Sequence, residues 1–174
     1  MAAVRRTLVR IAIVATLGAA SLGCPHEDQF DGAVYHNGRL SFRAGPIPST
    51  WQRLKMDGPL LAFHDTTSNG SVDVYAKCGE DRLDTSLLAL RTQLLIGFTE
   101  TNFREEKVVP FDDREALRTV IDAKLDGVPM SLDIYVYKKN GCVYDLVYVA
   151  RPQRFDSGVQ SFESFVAGFS ALGG

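Results

Sequence analysis

Between Leu117 and Ala150 apolar and polar side chains alternate with a period of two, interrupted twice by a dipeptide that favours left-handed backbone. Leu117, Thr119, Ile121, Ala123 and Leu125 alternate with Arg118, Val120, Asp122, Lys124 and Asp126. After Asp126-Gly127, Met130, Leu132, Ile134 and Val136 alternate with Ser131, Asp133, Tyr135 and Tyr137. After Asn140-Gly141, the segment from Cys142 to Ala150 closes the run. Period two places successive side chains on opposite faces of a sheet, and Asp-Gly and Asn-Gly supply the positive backbone angles that tight hairpins require. The pattern predicts a three-stranded antiparallel meander.

Around it the pattern changes. Leu60–His64 and Ser71–Ala76 read as strands joined by the polar turn Thr66–Gly70, and Ala33–Tyr35 with Leu40–Phe42 flank Asn37-Gly38 as a hairpin. Trp51, the single tryptophan, is assigned to the core. Leu87, Leu88, Leu94, Leu95 and Phe98 recur at helical spacing, which predicts a helix over Thr85–Phe98 with Asp84 as its N-cap. Val108-Val109 reads as a short strand ended by Pro110, followed by the charged turn Asp112-Asp113-Arg114-Glu115. Arg151-Pro152 stops the last strand, and Asp156 or Ser157 caps a final helix carrying Phe155, Phe162, Phe165, Val166 and Phe169. An aromatic stripe at this spacing is core rather than a ligand box.

The start of the chain has a different character. Arg5, Arg6 and Arg10 precede the apolar run Ile11–Leu17 and a small-residue stretch ending at Cys24. This is the form of an export signal, and it is too short for a membrane span of about 20 residues. Ser21-Leu22-Gly23-Cys24 resembles a bacterial lipobox, with Ser21 where lipoproteins usually carry leucine. Residues 1–23 are therefore expected to be a lipoprotein signal peptide and Cys24 the lipidated (palmitate-bearing) N-terminus; the alternative is an ordinary secretory signal cleaved near a cysteine. Arg5-Arg6 leaves Sec and twin-arginine export both open. One buried acyl chain holds a membrane only marginally and several hold it durably, so the lipobox resemblance implies stable anchoring. Residues 24–38 are read as a tether, and residues 39–174 as one domain, with the domain in the periplasm and the anchor in the inner or the outer membrane.

Charge and cysteines refine this picture. The whole chain carries 19 basic and 21 acidic residues; without the three leader arginines, sixteen bases face twenty-one acids, a net of −5. No basic patch remains, so nucleic acid is not an expected partner. With Cys24 lipidated, Cys78 and Cys142 form an even pair in an oxidising compartment, either as a disulfide or as two separate buried thiols. Neither has a neighbour at CxxC spacing, which argues against a redox or zinc site.

Chemistry is sparsely marked. There is no nucleophile elbow, phosphate loop or dinucleotide fingerprint, and no cofactor is expected. His26, His36 and His64 share no motif; His64-Asp65 invites a catalytic reading, but nothing marks a nucleophile. Asp112, Asp113 and Glu115 fit no EF-hand spacing and read as a solvated turn, so no metal is expected. Asp122, Asp133 and Asp145 fall opposite their strands' strongest apolar sets, with Lys124, Tyr135 and Tyr137 nearby in sequence. If aligned they form a polar patch, either a binding or acid–base site or carboxylates paired by Arg118 and Lys124 on a half-exposed face.

As a whole, Trp51, the strand around Leu60–Phe63, Gly70–Tyr75, the helix around Leu87–Phe98, the Asp126-Gly127 hairpin, Cys142–Tyr148 and the helix bearing Phe162, Phe165 and Phe169 resemble the PsbP-like (DcrB-like) group over roughly Leu40–Leu172. The resemblance implies an α+β fold, an antiparallel sheet between helices in an α/β/α sandwich. It also implies a non-enzymatic role in binding or stabilising other proteins. The expected function is a membrane-anchored binding or assembly module of the cell envelope with an envelope protein as partner. The alternatives are a small-ligand carrier with a pocket between helix and sheet, and a hydrolase using the meander aspartates.

Overall fold

In the computed structural model, which describes residues 29–38, 40–58, 60–79 and 84–173, the meander has one strand more than its alternation predicts. Chain order runs β1 (Gln29–Phe30), β2 (Val34–Asn37), β3 (Leu40–Arg43), β4 (Trp51–Leu54), β5 (Leu61–Asp65), β6 (Gly70–Cys78), α1 (Leu87–Leu94), β7 (Phe98–Phe111), β8 (Arg114–Leu125), β9 (Val128–Lys139), β10 (Cys142–Ala150), α2 (Pro152–Ala167) and β11 (Ser170–Ala171). β7 to β10 are joined by three two-residue loops, Asp112-Asp113, Asp126-Gly127 and Asn140-Gly141. All six loop residues have positive φ, between 47° and 78°, the geometry of the turn whose twist matches that of paired strands.

The strands form a seven-stranded antiparallel sheet in the order β4-β5-β6-β10-β9-β8-β7 and a four-stranded sheet β1-β2-β3-β11. β1 and β2 fall within residues 24–38, so part of the segment read as a tether is a paired edge of the small sheet, with Tyr35 buried. Cys24 and the leader lie outside the described residues.

Each face of the large sheet carries its own core. One face presents Tyr135 and Tyr137 from β9 and Cys142, Tyr144, Leu146 and Tyr148 from β10. These pack under Phe155, Phe162, Phe165 and Phe169 and against Tyr35 and Phe42 of the small sheet. Ring centroids lie 5.0–5.7 Å apart for Tyr35–Phe42, Phe42–Phe169, Tyr137–Tyr144 and Tyr148–Phe162. Burying each such aromatic contributes roughly 1.5–3 kcal/mol, with added preference for these ring geometries. The opposite face presents Ile121, Ala123, Leu132, Ile134, Val136, Val143 and Val147 beneath Leu90 and its neighbours on α1. The architecture is therefore α+β, with helices on both faces of an antiparallel sheet and the small sheet sharing the α2 layer.

Both helices begin elsewhere than expected. α1 starts after Ser86, whose hydroxyl accepts from the Ala89 N–H, and stops at Leu94; Asp84 stands before the cap. α2 starts at Pro152, whose fixed φ suits the first helical position, so the proline that ends β10 also opens the helix and neither Asp156 nor Ser157 is the cap. Gly158 brings α2 down onto the β5–β6 turn: a Cβ there would meet the Tyr148 hydroxyl at 2.4 Å and the Asp65 carboxylate at 2.6 Å.

Cys78 and Cys142 are directly opposed in the β6–β10 register and bonded, across 64 positions of sequence. The bond staples the β4–β6 half of the sheet to the meander at the far end of the Asn140-Gly141 turn.

Candidate functional site

The meander aspartates do not form one patch. Register places Asp122, Asp133, Tyr135 and Tyr137 on the α2 face, whereas Asp145, paired with Val136 and Tyr75, lies on the α1 face. The tyrosines explain the difference. Treated as polar, they mark an exposed side, but their rings are buried and their face becomes the larger core.

The carboxylates on that face are structural. Asp133 is fully buried and accepts from Arg118 Nε at 3.1 Å and Nη2 at 2.7 Å; Nη2 also reaches Glu163 of α2 at 2.6 Å. The guanidinium lies over the Tyr135 ring, 5.4 Å from its centroid. Burial pushes the Asp133 carboxyl up against the pull of Arg118. Asp122 accepts from the Ser131 hydroxyl at 2.6 Å and lies 3.5 Å from Arg104. Lys124 pairs with Glu100 on β7.

The charged turn before the meander is not wholly solvated. The Asp112 side chain is buried and accepts from Lys139 Nζ, the Ser170 hydroxyl and the Ala171 N–H at 2.8–2.9 Å, and from the Tyr137 hydroxyl at 3.2 Å. Burial works against this carboxylate, but these donors outweigh it and hold it below the usual range. Asp112 thereby ties β11 to the meander. Asp113 and Glu115 are exposed. Among the described residues no group of three or more His, Cys, Asp or Glu is placed to hold a metal ion.

His64 and Asp65 are consecutive in β5 and so point to opposite faces. Asp65 is buried against Ser68, whose hydroxyl donates at 2.6 Å, while His64 is half-buried beside Ser71 on the other face. They form no catalytic pair. His36 is exposed in β2, and His26 lies outside the described residues.

The polar surface that does assemble comes from β6. Its residues alternate between the two faces, sending Val72 and Val74 into the aromatic core and Ser71, Asp73, Tyr75 and Lys77 to the α1 side. There Tyr75 faces Asp145, Lys77 faces Val143, and Ser71 faces both His64 and Val149. The short α1 packs on β8 and β9, and on this half of the face Ser71, Asp73 and Tyr75 are half-buried while Lys77 is exposed. The Ser71 hydroxyl donates to Asp73 at 2.9 Å, and burial pushes the Asp73 carboxyl up. Burial, then the charges of Asp73 and Asp145, push the Tyr75 hydroxyl up, so it remains neutral at neutral pH.

Between α1, β6, β10 and the loop after β4 lies a cleft of about 230 Å³ lined by Gly58, Tyr75, Lys77, Leu94, Val143 and Asp145. Asp145 is the only member of the sequence-derived patch that it contains. Alternation along Gly70–Cys78 already assigns Ser71, Asp73, Tyr75 and Lys77 to one face; what sequence does not give is their register against Asp145.

The sequence matches no protein-family model and no curated protein. Solved structures do share the fold. LpqN, involved in cell envelope biogenesis of Mycobacterium tuberculosis, superposes with a TM-score of 0.60 at 12% identity, covering 78% of this chain and 87% of its own. The cyanobacterial PsbP of Synechocystis sp. PCC 6803 (CyanoP) gives a TM-score of 0.53 at 12% identity, covering 90% and 99%. A protein of Bacteroides thetaiotaomicron VPI-5482 gives 0.50 at 14% identity, covering 76% and 45%. The fold is PsbP-like.

Proposed function

We propose that this chain is a membrane-anchored, periplasm-facing lipoprotein whose domain acts as a non-catalytic binding or assembly module of the cell envelope. The observation that carries the proposal is the combination of an export leader ending at Cys24 with a fold shared by LpqN, a protein of cell envelope biogenesis. The pairing of chemistry-bearing side chains within the structure supports it. Arg118, Asp133 and Glu163 hold α2 to the sheet, and Asp112 and Lys139 hold β11. The opposed Cys78 and Cys142 suit an oxidising compartment. Among the described residues no helix is long and apolar enough to cross a membrane.

The test is in-cell cross-linking followed by purification from membranes, beside a Cys24→Ala control. A stoichiometric envelope protein captured with the wild type and lost in the control is the expected result. Fractionation of the wild type as a soluble protein would refute the anchor, and the absence of any cross-linked protein would refute the assembly module. A second reading, a small-ligand carrier, is favoured by the cleft between α1 and the sheet. The hydrolase reading loses its constellation, because Asp145 is separated from Asp122 and Asp133 by the thickness of the sheet.

A further inference from the structure

We infer that the loop between β4 and β5 is the part of the domain that lies on the lipid surface, with Leu54 and Met56 entering the boundary between headgroups and acyl chains. The inference rests on the reading of Cys24 as a lipid anchor and adds the orientation of the domain upon it.

Reach sets the first limit. Gln29 opens β1 five positions after Cys24, and five residues of fully extended chain span at most about 18 Å. A domain of this length has a radius of gyration of about 15 Å, hence a diameter of roughly 38 Å. An anchor within about 18 Å of Gln29 therefore lets only the half of the surface around Gln29 touch the bilayer.

The β4–β5 loop stands in that half. Phe30, next to Gln29, packs edge-on against Phe63 of β5, with ring centroids 6.5 Å apart. The Arg53 guanidinium lies 5.1 Å from the Phe30 centroid and 5.7 Å from that of Phe63. The same guanidinium donates from Nη2 to the Leu60 carbonyl at 3.1 Å and from Nε to the Leu54 carbonyl at 3.4 Å. One side chain of β4 thus clasps the start of β1 and both ends of the loop, and holds the loop beside the point where the chain enters the domain.

The loop presents apolar surface there. Leu54 is 39% exposed and Met56 56%. Phe103, Val108, Leu125 and Val128, also exposed, belong to β7, β8 and β9, toward the opposite edge of the large sheet. Lys55 and Asp57 flank Met56 with opposite charges, so the contact is apolar in origin. Binding to a membrane interface scales with buried apolar area, and two side chains bury little. A link of this length, however, presents them to the surface at an effective concentration in the millimolar range. They orient the domain rather than anchor it, and the turn at the other end of β5, Thr66–Gly70, faces away from the bilayer.

The test uses the full-length lipidated protein in unilamellar vesicles of phosphatidylethanolamine and phosphatidylglycerol. Cys78 and Cys142 are bonded and an acylated Cys24 has no free thiol, so Asp57→Cys supplies a single thiol for an environment-sensitive fluorophore. The control is Gln153→Cys, exposed at the start of α2, where Arg154 reaches the Thr67 carbonyl. Both proteins should float with the vesicles. Only the label at position 57 should shift to the blue and be quenched by lipids bearing a nitroxide on the acyl chain. The shift should be the same on phosphatidylcholine vesicles, and Met56→Glu, at an exposed position, should lower the quenching severalfold. A label at position 57 that stays in water while the protein floats would overturn the inference and leave the anchor standing. Equal quenching at both positions would overturn it as well, since the domain would then have no fixed orientation. A blue shift without nitroxide quenching would mean that a protein surface covers the loop, which also overturns it. A protein that does not float would refute the anchor, and the inference with it.

Discussion

Opening the Cys78–Cys142 bond tests how the large sheet is held together. The bond closes a loop across 64 positions. In the chain-entropy account a 15-residue loop is worth about 3 kcal/mol and a 100-residue loop about 4.7, so this one contributes about 4 kcal/mol by restricting the unfolded chain. The native side changes little, because the two thiols stay opposed in a register already fixed by eight paired positions of β6 and β10. Against a typical domain stability of about 5–15 kcal/mol, the loss is large. With a urea dependence of about 2 kcal/mol per molar, reduction should lower the unfolding midpoint by about 2 M. The assay is urea denaturation followed by circular dichroism, with and without reductant. Cys78→Ala is the parallel variant, since Cys78 is the exposed partner and its loss leaves no core cavity. Reductant and variant should give the same midpoint. A shift below about 0.5 M in both would refute the reasoning, for it would mean that the unfolded chain keeps β6 near β10 without the bond.

Two further outcomes follow from the polar clasps. Asp112 is held below its usual range, so its contribution is present above the unfolded value of 3.8 and is lost as pH falls through the lower folded value; Asp112→Asn should cost about 1.5–3 kcal/mol at neutral pH and flatten the acid limb of stability against pH, as read by thermal unfolding. Arg118→Met strands the buried Asp133 carboxylate and should cost about 3–5 kcal/mol, whereas adding Asp133→Leu should recover most of that loss; a double variant as unstable as the single one would refute the assignment of the pair as a structural tie.

Fold class and much of the strand pattern were legible because alternation was strong where one face was buried. β7 shows the limit. Its 14 residues, Phe98–Phe111, are largely exposed and mostly polar, and the register shifts at Thr99/Asn102 and Phe103/Glu105 break any period of two. An edge strand needs no apolar alternation, and bulges, charges and a proline are how such edges avoid unwanted pairing. Its first residue, Phe98, continues the helical spacing of Leu87, Leu88, Leu94 and Leu95, although Gly97 with φ 95° already ends the helix. The division of the meander aspartates between two faces has a different reason. Which tyrosines are buried depends on what covers them, and the cover for Tyr135 and Tyr137 comes from Phe111, Phe162 and Phe169, the first of them on the far side of Pro110, where the Val108-Val109 strand is expected to end but β7 continues.

The position of the open face follows from lengths alone. Seven strands about 4.8 Å apart make a sheet roughly 29 Å wide, and a helix rises about 1.5 Å per residue. The 16 residues of α2 span roughly 24 Å, and the small sheet fills the remainder of that side with Tyr35 and Phe42. The 8 residues of α1 span roughly 12 Å, the width of two or three strands. Among the described residues no second sheet shares its side, and there Ala62 of β5 is buried, Ser71, Asp73 and Tyr75 of β6 are half-buried, and Lys77 is exposed. This is why β6 carries Ser71, Asp73, Tyr75 and Lys77 opposite the valines it buries. It is also why the cleft opens beside Leu94, the last residue of α1. On the sealed face a substitution acts through packing. On the more open face a surface side chain such as Lys77 is less constrained by packing, so a substitution there leaves the core unaltered.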